Sequence, residues 1–232
     1  MDTSRWDQLS DSYNKISADS RKVFLYPAML SAIPESKELV IIDFGCACGE
    51  FTQILAKNYN NVIGYDPSRS MIKNAVTNNT VYQNIRFTDS MPTIPPNSCD
   101  VVVLSLVLQT IETEEEISKV LSDIRILLKV NGTLLVGMSH PCYNYYCIEN
   151  SLYNQVGAAY PVHINSSETK LEFTDYHRPL EFWINIFCSN GLNILQCTEV
   201  YDNQEYFIEH ESEIPKYSGI LPLYLVFKLD NR

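Results

Sequence analysis

Short apolar runs of the kind that form buried strands recur along the first 140 residues, and stretches with helical spacing separate them. A continuous apolar run suits a strand covered on both faces, whereas apolar residues three and four apart suit an amphipathic helix. This alternation predicts a parallel sheet with helices on both faces. The runs are 38–43, 61–66, 84–88, 99–105 and 133–138, and the helical stretches are 49–58, 68–77 and 114–128.

Two segments depart from this alternation. Residues 6–33 have the spacing of one or two helices, which Pro34 would end. Residues 140–178 are polar, contain six tyrosines and hold only short alternating stretches. We therefore expect helices before the sheet and an inserted lid after its fifth strand.

Beyond residue 178 the pattern of a sheet protein returns. Pro179 suits the first position of a helix that runs to about residue 190, where Gly191 provides a stop. Two final strands are expected at 193–200 and 221–228, the second with Pro222 at its start, where proline is tolerated.

The strongest chemical signal is the turn after the first strand, which reads Asp43-Phe44-Gly45-Cys46-Ala47-Cys48-Gly49. Gly45 and Gly49 permit a tight turn and a close approach of the backbone to a ligand. The spacing differs from the G-x-G-x-x-G pattern of NAD(P) sites. Because alanine adopts positive φ only with strain, we expect φ below zero at Ala47, the middle position.

Acidic side chains follow three successive strands, at Asp43, Asp66 and Asp89. The carboxyl ends of parallel strands meet at one edge of the sheet, where nucleoside ligands bind. A carboxylate at Asp66 can accept hydrogen bonds from both ribose hydroxyls, and Asp89 with Ser90 would face an adenine edge. For Asp89 the alternative is a turn-forming residue.

These stretches resemble the class I S-adenosylmethionine (SAM)-dependent methyltransferases, in particular the small-molecule enzymes of the ubiquinone/menaquinone type. The resemblance rests on residues 43–49, 62–72 and 100–108 and covers about residues 40–140. It implies a Rossmann-like, doubly wound α/β sheet of seven strands, mostly parallel, with the last strand antiparallel. One domain would span residues 1–232, with a helical cap over 1–34 and a lid over 140–178.

The resemblance also implies SAM as the cofactor and S-adenosylhomocysteine (SAH) as its product. The turn would line the methionine part, and Ser105 with Leu106 would lie beside the sulfonium. Met71 would pack near adenine, unless it is an ordinary core residue. Two cap residues would close over SAM, unless they belong to a solvated helix face. The full cofactor-binding set is Tyr13, Arg21, Asp43, Gly45, Cys46, Ala47, Gly49, Asp66, Pro67, Met71, Asp89, Ser90, Ser105 and Leu106.

Acceptor chemistry is expected after the fifth strand. His140 could take a proton from an acceptor, or could be bonded within its own turn. As a catalytic base, His140→Ala should lower turnover and leave SAM affinity within a few-fold. Arg178 could pair with an acceptor carboxylate or anchor the lid through a salt bridge. The expected substrate-binding residues are Tyr143, Tyr146, His177 and Arg178.

Composition narrows the possible partners. The net charge of −11 and the lack of a Lys/Arg cluster disfavour nucleic acid. No apolar run approaches the roughly 18 residues of a membrane span, and the N-terminus does not resemble a secretory signal, so a cytoplasmic protein is expected. Seven cysteines without a CxxC pair favour reduced thiols and no metal site.

The sequence therefore favours a SAM-dependent methyltransferase that modifies O, N or C of a small-molecule acceptor. A SAM- or nucleoside-binding protein without catalysis, or an accessory subunit, is the alternative, and a tRNA or protein methyltransferase is disfavoured by the acidic charge. A monomer and a homodimer are both compatible with the sequence.

Overall fold

A seven-stranded sheet organises the computed structural model, which describes residues 3–16, 20–143, 153–165, 170–209 and 218–231. Its strands are β1 (Val40–Phe44), β2 (Asn61–Tyr65), β3 (Ile85–Thr88), β4 (Cys99–Ser105), β5 (Leu128–Ser139), β8 (Asn193–Tyr201) and β9 (Pro222–Asp230). The order is β3-β2-β1-β4-β5-β9-β8, and β9 is the one strand that runs antiparallel to the other six. This topology confirms the predicted Rossmann-like sheet.

Helices cover the sheet and precede it. Two of them have side-chain caps, because Ser68 accepts from the Met71 N–H and Thr113 from the Glu116 N–H. A π-helical turn, Arg21–Leu25, leads into the second helix, and 3₁₀ turns span Met91–Thr93 and Leu108–Thr110. The helices are α1 (Ser4–Tyr13), α2 (Tyr26–Ser31), α3 (Glu50–Ala56), α4 (Arg69–Asn78), α5 (Glu114–Leu127), α6 (Leu180–Ser189) and α7 (Gln204–Glu209).

The central strands are buried on both faces, which explains their continuous apolar runs. On β4, Val102 and Leu104 pack in a core cluster with α5, whereas Val101 and Val103 pack on the opposite face in a cluster that includes Leu55 of α3. Within the described ranges, none of the helices combines the length and the hydrophobicity that a membrane-spanning segment needs.

A separate two-stranded antiparallel sheet, the lid sheet, consists of β6 (Ala158–Asn165) and β7 (Lys170–His177). It lies within the segment predicted as a lid. Helix α1 packs on it, because the rings of Trp6 and Phe173 are 5.5 Å apart and Arg5 Nη1 donates to the Thr174 carbonyl at 3.2 Å. The first helix and the lid sheet therefore form one wall above the main sheet.

The start of β5 and the start of α6 differ from the sequence prediction. The strand β5 begins at Leu128, because the expected turn at Asn131-Gly132 is a bulge within it. Asn131 has φ of 63°, and the register with β4 moves from Cys99↔Leu128 to Val101↔Thr133. Pro179 is the N-cap of α6 and not its first residue. Helix α7 was not predicted.

Candidate functional site

The turn between β1 and α3 has a left-handed backbone at every second residue. Gly45 has φ of 80°, Ala47 of 46° and Gly49 of 83°. The expected negative φ at Ala47 is therefore wrong. Positive φ costs a non-glycine residue roughly 1 kcal/mol, and the Ala47 N–H donates to Asp66 Oδ2 at 2.9 Å, which holds the residue in this conformation.

Gly45 cannot be replaced without moving its neighbours. A Cβ there would lie 2.6 Å from Cγ2 of Val107. The N–H groups of Gly45 and Cys46 both donate to the Tyr65 carbonyl, at 2.7 and 3.0 Å, so the turn folds back on the end of β2. The resulting backbone curve is open toward the carboxyl ends of the strands.

Asp43 lies beneath this turn and is buried. Thr52 Oγ1 donates to its Oδ2 at 2.6 Å. Burial raises the pKa of Asp43 to about 7, and the negative charge of Asp66 adds to this effect against the Thr52 hydrogen bond. Thr52 is a site-supporting residue that sequence analysis missed, because a helical threonine carries no signal of its own.

Asp66 is buried at the end of β2, and each of its carboxylate oxygens accepts one backbone N–H. Ala47 donates to Oδ2 and Ser68 to Oδ1, both at 2.9 Å. Burial raises the pKa of Asp66 to about 6, although both hydrogen bonds oppose the shift. A carboxylate oxygen can accept a second hydrogen bond, so the side chain can still bind a diol.

Two adjoining cavities bring most of the predicted cofactor residues together. The loop cavity has a volume of about 550 Å³, and a small cavity of about 80 Å³ shares four of its lining residues. The first value lies within the roughly 300–1,000 Å³ of ligand pockets. Of the predicted set, the loop cavity is lined by Tyr13, Arg21, Asp43, Gly45, Cys46, Ala47 and Ser105, and the small cavity also by Asp66, Pro67, Met71 and Leu106.

The Ser105 hydroxyl offers a direct test of whether a ligand fits. Its Oγ is buried and has no hydrogen-bond partner in the part of the chain that the structure describes. An unsatisfied buried hydroxyl costs about 1–3 kcal/mol, which a bound polar group would recover. Ser105 lines both cavities, and Leu106 beside it has φ of 59°. The residues present therefore fit a polar ligand lying across the strand ends.

The cap is tied to the turn through Glu50, a residue that sequence analysis missed. Arg21 donates to the Tyr13 hydroxyl and lies 3.8 Å from Glu50, while Lys22 Nζ lies 2.6 Å from the same carboxylate. Tyr26 donates to Glu50 at 3.2 Å. These bonds place Tyr13 and Arg21 over the loop cavity, where closure over a ligand was predicted.

Helix α1 is anchored on the other side by Asp7. Ser68 Oγ and the Ser70 N–H donate to its Oδ1, at 2.6 and 3.1 Å. The Ser68 hydrogen bond is the main cause of the lowered pKa of Asp7. Since Ser68 also caps α4, the cap and the Asp66 segment are held in one hydrogen-bonded unit.

Three predicted residues lie outside these cavities. Asp89 is partly exposed, and its Oδ2 lies 3.1 Å from Arg69 Nε. The Ser90 N–H donates to Thr88 Oγ1 at 3.1 Å. Gly49 lies behind the turn, where a Cβ would be 2.9 Å from Phe87 Cζ. The adenine contacts of Asp89 and Ser90 stay predictions.

His140 is buried in its turn. Its Nδ1 accepts from the Cys142 N–H at 3.2 Å, and its Nε2 lies 3.4 Å from Glu199 Oε1, without the geometry of a hydrogen bond. Burial lowers the pKa of His140 against the attraction of Glu199. The neighbouring Ser139 lines a cavity, but His140 lines none of those described above or below, so its catalytic role stays a prediction.

Arg178 is also buried, and it anchors the lid sheet. Its Nη2 donates to the carbonyls of Ile111 and Glu112, at 2.8 and 2.7 Å. This is the anchoring alternative, with backbone carbonyls in place of a salt bridge. His177 Nε2 lies 2.9 Å from the Tyr153 carbonyl. Their substrate contacts, and that of the half-buried Tyr143, stay predictions, and Tyr146 lies outside the described residues.

A further cavity of about 370 Å³, the lid cavity, lies between α1, the lid sheet and the main sheet. It shares Tyr13 and Arg21 with the loop cavity and Leu106 with the small cavity. Tyr13 therefore borders all three spaces. Gln109 and Asp175 are among its polar lining residues, and neither was predicted.

Comparison with known proteins also indicates a methyltransferase domain. Residues 42–136 match the family model of a methyltransferase domain. The chain is 28% identical over 167 residues to phosphoethanolamine N-methyltransferase 1 of Triticum aestivum, a match that covers 69% of this chain and 29% of that protein. The chain thus spans less than a third of the length of this relative.

Two solved structures share the fold. A SAM-dependent methyltransferase from Methanosarcina mazei superposes with a TM-score of 0.63 at 18% identity, covering 89% of this chain and 97% of the other. The DhpI–SAH complex superposes with a TM-score of 0.62 at 12% identity, covering 97% and 93%.

Proposed function

We propose that this chain, which carries a class I SAM-dependent methyltransferase domain, transfers a methyl group from SAM to a small molecule held beneath the lid sheet. The observation that carries the proposal is the meeting of two kinds of space at Tyr13 and Leu106. The loop and small cavities, with the turn and the buried carboxylates of Asp43 and Asp66, lie on one side. The lid cavity lies on the other side.

The residues divide the work of binding and alignment. SAM supplies a methyl carbon on a positively charged sulfur, which an acceptor lone pair attacks in line. Asp66 would orient the ribose through its free acceptor positions, and Ser105 would bind a polar group near the reacting centre. Tyr13 and Arg21 would cover the site and exclude water, which favours the aligned reaction over hydrolysis.

A small acceptor is supported by the volume of the lid cavity and by the net charge of −11. The anionic surface is unsuited to a nucleic-acid backbone. The wheat relative is named for an N-methylation of a small amine, which is consistent with this size class.

The proposal is tested by titration calorimetry with SAM and SAH, followed by transfer of a radiolabelled methyl group into small-molecule, RNA and protein fractions. We expect both ligands to bind and the label to enter the small-molecule fraction. Binding without transfer into any fraction would support a non-catalytic SAM-binding protein. Absence of binding would refute the proposal.

A further inference from the structure

Asp175 is a buried carboxylate of the lid cavity that the cofactor site does not use. It lies on β7 and is 4% exposed. Its Oδ1 is buried with no hydrogen-bond partner in the described ranges. A buried carboxylate oxygen without a donor is costly, because the charged group has lost water and gained nothing in return.

Gln109 lines the same cavity with a second unused acceptor. Its Nε2 donates to Ser139 Oγ at 3.3 Å, which orients the amide, and Gln109 is close enough to Asp175 to oppose the rise in the pKa of that carboxyl. The Gln109 Oε1 is buried and has no donor among the residues described. Two side chains of one cavity thus each present a buried acceptor that no described residue satisfies.

We propose that the methyl acceptor is an amine and that Asp175 and Gln109 bind its nitrogen, an inference that rests on the proposed function. An amine or ammonium group carries two or three N–H donors on one atom, which can serve both acceptors together. A hydroxyl has one donor and would leave one acceptor unsatisfied. A carboxylate would be repelled by Asp175.

The cations near Asp175 do not replace such a ligand. Arg5 is close enough to oppose the rise in its pKa, but its guanidinium donates to the Thr174 and Thr110 carbonyls, both at 3.2 Å. Burial still raises the pKa of Asp175 to about 7. An ammonium group would compensate the buried charge at short range and would pass one proton to the Asp175 carboxylate, which leaves the nitrogen with the lone pair that attacks the methyl carbon as SAH departs.

The walls of the lid cavity suit a cation as well. Trp6 and Phe173 line it, and aromatic faces attract cations. On the cofactor side the cavity is bordered by Leu106, so a nitrogen held by Asp175 and Gln109 lies in the space that adjoins the predicted methyl donor. The same pair would therefore select the acceptor and orient it.

The test is calorimetry on the full chain with SAH bound, using three primary amines and their hydroxyl counterparts. The amines are ethanolamine, phosphoethanolamine and benzylamine, and the counterparts are ethylene glycol, 2-hydroxyethyl phosphate and benzyl alcohol. We expect at least one amine to bind about 10-fold more tightly than its counterpart, and Asp175→Asn to weaken that amine by about 30-fold or more. SAM affinity should change by less than about 3-fold in this variant.

Glu172→Gln provides the matched control, because Glu172 is an exposed acid on the same strand, and the affinity for the amine should not change. Gln109→Met removes the second acceptor at similar volume and should weaken the amine by about 10-fold, which keeps the test decisive if Asp175→Asn misfolds. The proposal is overturned if amines and hydroxyls bind equally, if neither variant weakens the amine, or if no amine binds a chain that binds SAH. A chain that binds the amine and SAM without methyl transfer would refute the proposed function alone.

Discussion

The cofactor edge and the lid cavity adjoin each other but satisfy their polar groups in opposite ways. We call the loop and small cavities together, with the turn at residues 43–49 and with Asp66, the cofactor edge. At the cofactor edge the protein supplies the partners, since Thr52 bonds Asp43 and two backbone amides bond Asp66. In the lid cavity, Asp175 and Gln109 each keep a buried acceptor to which none of the described residues donates. One site is preorganised by its own chain, and the other is completed by its ligand.

The origin of the residues differs in the same way. Most of the cofactor edge comes from consecutive strand–helix units of one sheet, so the turns at the strand ends position most of its groups. The lid cavity joins α1, the 3₁₀ turn at Leu108–Thr110, the end of β5 and the lid sheet. A change in the lid sheet alone can therefore alter the specificity of the lid cavity while the cofactor edge stays constant. This is expected when function is carried by sites placed on a shared fold.

The largest effect expected on the cofactor edge comes from Asp66→Ala. This change removes a charged acceptor for the ribose and also frees the Ala47 and Ser68 amides. Hydrogen bonds to charged groups contribute about 1.5–3 kcal/mol each, so SAM affinity should fall by at least about 100-fold in calorimetry. Amine binding in the lid cavity should change by less than about 3-fold.

Asp89→Ala is the control for this prediction, because Asp89 also follows a strand but pairs with Arg69 at the surface. We expect SAM affinity to change by less than about 3-fold, as is usual for an exposed ion pair. A loss of more than about 10-fold would support the predicted adenine contact of Asp89 and remove the distinction between the two acids.

The sequence was sufficient to predict which residues meet at the carboxyl ends of β1 and β2, because they lie at strand ends and in the turns that follow. Continuous apolar runs located the strands, and acids at strand ends identified Asp43 and Asp66. The conformation of Ala47 was not predictable from intrinsic preference, because the hydrogen bond from its N–H to Asp66 comes from the next strand. Thr52 and Glu50 act through tertiary contacts that leave no local pattern.

The lid cavity was not predictable for a related reason. Asp175 and Glu172 are both acids in one polar segment, and only the fold buries one and exposes the other. Sequence analysis predicts substrate contacts for His177 and Arg178, which lie near Asp175 in sequence, and the structure shows Arg178 Nη2 donating to the carbonyls of Ile111 and Glu112. Contacts between α1 and β7 join residues more than 160 positions apart, as between Arg5 and Thr174, which no periodicity reveals.

A second prediction concerns stability and sharpens the contrast. The folded pKa of Asp175 is raised from 3.8 to about 7, so between these values the folded state binds the proton more tightly than the unfolded state. The penalty is absent below the unfolded pKa and is complete above the folded one, and stability therefore falls as pH rises through this window. Asp175→Asn should stabilise the free protein, by about 2 kcal/mol more at pH 8 than at pH 5.

Urea denaturation of both proteins at pH 5 and pH 8 provides the measurement. Glu172→Gln should show no such pH-dependent gain, because Glu172 is exposed. If Asp175→Asn loses stability equally at both pH values, Asp175 has a structural partner within the protein and is not a ligand-binding group.

Ser105→Ala tests whether the cofactor edge also keeps one group for its ligand. The Ser105 hydroxyl is the exception on that side, since it is buried and has no hydrogen-bond partner among the residues that the structure describes. Loss of one neutral hydrogen bond should lower SAM affinity by about 3- to 10-fold in calorimetry. Because nothing in the described protein depends on this hydroxyl, the free energy of unfolding should stay the same or rise. A fall in stability would mean that the hydroxyl has a structural role.

The smallest effect is expected from Tyr13→Phe, at the border of the two sites. Tyr13 lines the loop, small and lid cavities, and its hydroxyl accepts from Arg21. The ring remains in the variant and the hydrogen bond that holds Arg21 over the cavity is lost, so a 2- to 4-fold loss of affinity is expected. Since one residue serves both spaces, calorimetry should show this loss for SAM and for the amine alike, unlike Asp66→Ala and Asp175→Asn, which act on one side each. If Tyr13→Phe weakens only SAM, the cap belongs to the cofactor edge alone, and the two sites are independent.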